Sequence, residues 1–151
     1  MAWSNETIKS EFFMKSIVKA YYYLFYKFYK FSEAAPSKWA SDWKAGISII
    51  ALEIWVLLSC VVYYKVFVNR YFHLKPTSPV IVIPGILIFV INYFLFIHTD
   101  AWKDYVKEFD RMSKTKNRLG SLMTFGIVVL IISNLIFSFY LMSQIDWRQY
   151  R

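Results

Sequence analysis

Glu53 is the side chain in this sequence whose type and setting could do chemistry. It lies inside an apolar run, Ala45–Tyr64. A carboxyl group there is expensive, and such groups normally face a bundle interior or water. The chemistry on offer is a proton or cation site, or a hydrogen-bonding strut between helices. Depth suggests its partners. At 1.5 Å rise per residue, Glu53 is about 10 Å from the end of its run nearer residue 45. Asn92, in a second run that returns the other way, is about 8 Å from the same side. Thr124 and Gly126, in a third run, are at about 6 and 9 Å. The spacing therefore predicts a buried polar cluster of Glu53, Asn92 and Thr124, with Gly126 permitting close helix approach. Ser133 and Asn134 fall level with Ser59 and Cys60, about 20 Å in, as a second and weaker layer.

Other reactive residue types offer less. Cys60 is the one cysteine, so no disulfide framework exists, and inside an apolar run it reads as a small packing residue. His73 and His98 belong to opposite ends of the second run and cannot share a metal ion. Asp100 and Asp104 are one helical turn apart, a sparser acid set than headgroup chemistry requires. No GxSxG, HExxH or phosphate-binding glycine motif is present. The expectation is a non-enzymatic chain with no cofactor and no metal.

Three apolar runs must position these residues: 45–64, 80–97 and 119–142. Each is close to the roughly 20 residues that cross a bilayer as a helix. The chain has 151 residues, 58% of them hydrophobic and 21% aromatic, which suits spans with aromatic belts. The predicted fold class is all-α: an integral membrane protein with three transmembrane helices and an N-terminal amphipathic interfacial helix. The predicted division is a cytoplasmic helix over 1–36 and a three-span unit over 37–151, with a cytoplasmic helical loop at 98–118. Within the second run, Pro84-Gly85 predicts a kink.

The net charge of +8 would suggest nucleic acid in a water-soluble chain. Beside apolar spans it fits anionic headgroups better. Of the 18 Lys and Arg residues, thirteen precede the first run or lie between the second and third. Three spans put those thirteen on one side, which the positive-inside rule makes cytoplasmic. The N-terminus is expected inside and the C-terminus outside.

Residues 8–31 predict one helix with Lys9, Lys15, Lys19, Lys27 and Lys30 on one face. Phe13, Met14, Ile17, Tyr21, Leu24, Phe25, Phe28 and Phe31 fill the other. A basic face opposite an aromatic one describes a helix in the headgroup plane, its lysines on anionic lipid of the inner leaflet. Packing of the aromatic face on the chain's own helices, or on a partner, is the competing reading. Segregation of aromatics from lysines disfavours nucleic acid. Pro36 ends this helix. Trp102, Tyr105, Val106, Phe109 and Met112 form a further apolar stripe at helical spacing. With Trp39 and Trp43, these elements predict a basic, aromatic collar. Its candidate lipid- or partner-binding residues are Lys15, Lys19, Lys27, Lys30, Trp39, Trp43 and Trp102.

The stretch from Trp39 to Gly46, continuing through Ser48-Ile49-Ile50-Ala51, is familiar as a pattern. So is Ile91-Asn92-Tyr93-Phe94 followed by a charged helix and a glycine-opened last span. Together they resemble small three-span membrane proteins of Bacteroidota-type bacteria, over about a third of the chain. The resemblance implies a bacterial inner membrane and carries no activity or site residues. The function expected is that of an oligomer, or of a subunit in a larger membrane assembly, docking lipid or protein at the collar. The alternative is a gated homo-oligomeric cation channel or membrane-disrupting effector using the Glu53 layer.

Overall fold

The computed structural model describes residues 2–36, 39–72, 75 and 77–150. Among them the regular structure is entirely helical: α1 (Ala2–Ala34), α2 (Ser41–Tyr63), α3 (Pro79–Asn92), α4 (Ala101–Asp110) and α5 (Lys114–Ser143). π-helical turns extend α2 over Tyr64–Val68 and α3 over Tyr93–His98, and a short 3₁₀ turn closes Trp147–Tyr150. Three helices are long and apolar enough to cross a membrane: Ser41–Val68, Pro79–His98 and Lys114–Ser143. Each outruns its hydropathic core because polar and aromatic residues at both ends keep helical geometry. α3 runs on through Pro84. The winding changes beyond it, over Tyr93–His98, where the Thr99 hydroxyl donates to the Phe94 and Leu95 carbonyls at 3.1 Å.

α2 is the middle helix. α3 and α5 both pack on it and scarcely touch each other. Accordingly 39% of α2's apolar window is buried, against 11% for α3 and 6% for α5. At the end of α2 near residue 65, the C-terminal turn fastens α5 to it. The Lys65 ammonium sits 4.4 Å from the Trp147 ring centroid, and Arg70 donates to the Tyr150 hydroxyl at 2.8 Å.

The core lies at the other end and is built from four elements. Tyr22, Phe25 and Tyr26 of α1 pack with Ala45 and Ile49 of α2, Phe96 of the second π turn, and Trp102 and Phe109 of α4. Phe25 stacks on Phe96 at 4.3 Å, and Tyr22 on Tyr105 at 4.3 Å. Such pairs contribute about 0.5–1.5 kcal/mol each beyond area burial. The expectation of an interfacial helix with its aromatic face on lipid gives way here. The second half of α1 turns that face onto the chain's own helices, because α2, α4 and the π turn supply matching rings. In the first half, Phe12, Phe13, Met14 and Ile17 stay exposed.

Candidate functional site

The described polar groups gather at two places, on opposite sides of α1. The first joins α1, α2 and α3. Asn92 ends α3 and is 2% exposed. Its Nδ2 donates to Glu53 Oε2 at 2.6 Å and to the Ile88 carbonyl at 2.9 Å. The bond to Ile88 fixes which way the amide points. The Tyr21 hydroxyl stands 2.6 Å from Glu53 Oε1 and 2.7 Å from Asn92 Oδ1. Phe96 stacks on the Tyr21 ring at 5.3 Å and holds it in place.

This ring can be counted hydrogen by hydrogen. Tyr21 has one hydroxyl hydrogen and faces two oxygens. That hydrogen goes to Glu53 Oε1 or to Asn92 Oδ1, while Asn92 Nδ2 donates to the other carboxyl oxygen of Glu53. Burial, followed by the bond to Glu53, holds the Tyr21 hydroxyl far above the ordinary tyrosine range, so it stays a neutral phenol. Both carboxyl oxygens of Glu53 have a partner in the ring, Oε1 in Tyr21 and Oε2 in Asn92. Among the described residues no buried side-chain nitrogen or oxygen lacks a partner. The arrangement works chemically as a strut that ties α1 to the hairpin of α2 and α3.

The second place joins α1, α4 and α5. The Tyr26 hydroxyl donates to Asp110 Oδ1 at 2.9 Å, and Lys30 pairs with Asp110 Oδ2 at 3.0 Å and Glu33 at 3.4 Å. Burial and then Asp110 push the Tyr26 hydroxyl up to about 12. Burial pulls the Lys30 ammonium down, but Asp110 and Glu33 outweigh it and leave it above the usual lysine value. Lys27 differs. It donates to the Asn117 carbonyl at 3.0 Å and to Asn117 Oδ1, and lies over the Tyr23 and Tyr26 rings at 5.1 and 5.3 Å. Burial alone pulls its ammonium down. These residues open onto a cleft of 820 Å³ between α1 and α5.

The structure thus brings Glu53 and Asn92 together and adds Tyr21. Thr124 is elsewhere. It lines the clefts between α1 and α5, while the residue α5 presents to the pocket beside Glu53 is Ile131. Lys19 pairs with Glu108, and Lys30 with Asp110 and Glu33, whereas Lys27 meets only the neutral oxygens of Asn117. Lys15 is exposed on the free half of α1. Trp102 is buried against Phe25 and Tyr29 at 5.3 and 5.2 Å, whereas Trp39 and Trp43 are exposed. In the second layer Tyr63 donates to Asn134 at 2.7 Å. Among the described residues no group of three His, Cys, Asp or Glu could hold a metal ion; His73 lies outside them.

The close-approach glycine is Gly120, not Gly126. A side chain at Gly120 would overlap the Tyr23 ring, while Gly126 faces open space. Tyr21, Tyr23 and Gly120 were not among the expected site residues. The one signal for Tyr21 was a hydroxyl in the middle of an aromatic face. No protein-family profile, curated protein or solved structure matches this chain.

Proposed function

We propose that this chain is a non-catalytic, multi-pass membrane protein that works as an oligomer or as a subunit of a larger membrane assembly. The α1–α4 collar is its docking element for lipid or protein. The charge distribution supports a cytoplasmic N-terminus and an outside C-terminus, and the resemblance noted above supports a bacterial inner membrane.

The observation that carries this reading is the outward face of α5. Gly126 and Ser133 are seven residues apart, close to two helical turns, so they share a face. Both are exposed, with Leu130 between them at 68% exposure. Small residues let membrane helices approach closely and are enriched where they pack. No described element of this chain fills the space at Gly126.

The test is the mass of the detergent- or nanodisc-extracted particle, with every co-purifying chain identified. The expected result is a particle heavier than one copy, reduced by Gly126→Leu. A single copy in both wild type and Gly126→Leu would overturn the reading. The cation-channel alternative has less support, since both Glu53 carboxyl oxygens are engaged by Tyr21 and Asn92 and the neighbours Leu24, Ile49, Leu52, Val56 and Ile88 are apolar.

A further inference from the structure

We propose that the cleft between α1 and α5 is a binding site for one anionic phospholipid, with Lys27 as its headgroup contact. The inference deepens the reading of the collar as a docking element and rests on it.

The cleft is polar at one end and apolar at the other. Its mouth holds Lys27, Lys30, Asp110 and Asn117; its floor holds Phe28, Phe125 and Val128. Val128 is eleven residues beyond Asn117 on α5, about 16 Å deeper at helical rise. Its volume of 820 Å³ falls in the roughly 300–1,000 Å³ range of ligand sites. A charged head over a long apolar slot matches a lipid whose phosphate stays at the membrane surface while a chain lies along the protein.

The charges at the mouth select the sign. Asp110 has one carboxylate oxygen on Tyr26 and the other on Lys30, so its charge is already met. Among the described residues Lys27 meets only the neutral oxygens of Asn117 and the faces of two tyrosines. A half-buried ammonium has three donors, and Asn117 takes two of them. The remaining donor, with a charge that no described carboxylate balances, suits a phosphate oxygen through a charge-assisted bond. Arg118 lines an adjoining groove that shares Ser121 and Phe125 with the cleft, adding positive charge on the same side.

The experiment is native mass spectrometry of the full chain released from detergent micelles. Phosphatidylglycerol or phosphatidylcholine with the same acyl chains is added beforehand. Phosphatidylglycerol should be retained preferentially. Lys27→Met should lower that retention about tenfold, the scale of one charge-assisted contact. Lys27→Arg should keep it, and Arg148→Met, in the Trp147–Tyr150 turn at the other end of α5, should leave it unchanged. Val128→Trp should lower it with Lys27 intact, by filling the apolar floor. Equal retention of the two lipids, or unchanged retention in Val128→Trp, overturns the proposal even if Lys27→Met does not fold. Lipid adducts and the number of protein copies are read separately in the same spectrum, so a failed lipid site and a failed assembly are distinguishable.

Discussion

Toward α2 and α3, α1 meets partners that satisfy its polar groups from within the protein. Toward α5 it meets a cleft in which Lys27 has only neutral neighbours. The difference follows from which groups each side can offer. Asn92 supplies both an acceptor and a donor, so three side chains from three helices close one ring. Asn117 supplies oxygens to a lysine that already carries a charge, and the charge stays unbalanced. One side of α1 is therefore fastened and the other is receptive.

The largest effect should come from opening the fastened side. Glu53→Leu removes one member of the ring and leaves one Asn92 Nδ2 hydrogen without an acceptor, with Tyr21 held only by Asn92. An unsatisfied buried polar group costs about 1–3 kcal/mol. The thermal midpoint of the detergent-solubilised protein should fall, and α1 should become accessible to protease. Glu53→Gln should be milder than Glu53→Leu, because its amide oxygen can still accept from Asn92 Nδ2 and its amide nitrogen can donate to the Tyr21 oxygen. Equal losses in the Gln and Leu variants would show that the ring needs a carboxylate and not only a hydrogen-bonding side chain.

A smaller effect belongs to the seam between the two sides. Gly120 gives Tyr23 the space that places Lys27 at the cleft. Gly120→Val should push the ring aside at a cost of about 1–3 kcal/mol. Lys27 would move with the helix, so phosphatidylglycerol retention should fall along with stability. A drop in stability with full retention would separate the cleft from the seam.

The three long helices were legible because hydropathy sums over twenty positions and tolerates local error. The helical nature of α1 was legible for the same reason, through its periodic face. What that face packs against was not. Lipid and a neighbouring helix both ask for Phe and Tyr at the same spacing, so the pattern cannot choose between them. Depth arithmetic paired Glu53 with Asn92 because straight helices keep their rise. It misplaced Thr124 because depth says nothing about rotation, and α5 turns Ile131 toward the Glu53 pocket. Tyr21 stood among three successive tyrosines, Tyr21 to Tyr23. Each takes a different partner, Glu53, Leu95 or Asn117, and only packing reveals which. Depth points to Gly126, while the close contact lies nearer the helix start, at Gly120.

The smallest effect sharpens the comparison within the cleft itself. Lys30 shares the mouth with Lys27, but Asp110 and Glu33 already meet its charge. Its side chain is 38% exposed, and exposed ion pairs contribute only about 0.2–1 kcal/mol. Lys30→Met should therefore change the melting midpoint little. It should also leave Asp110 less neutralised beside the bound phosphate, so phosphatidylglycerol retention should fall, though by less than in Lys27→Met. Retention lost more steeply in Lys30→Met would transfer the headgroup contact from Lys27 to Lys30. The cleft would still select an anion, but by the summed charge of its mouth and not by one unbalanced lysine.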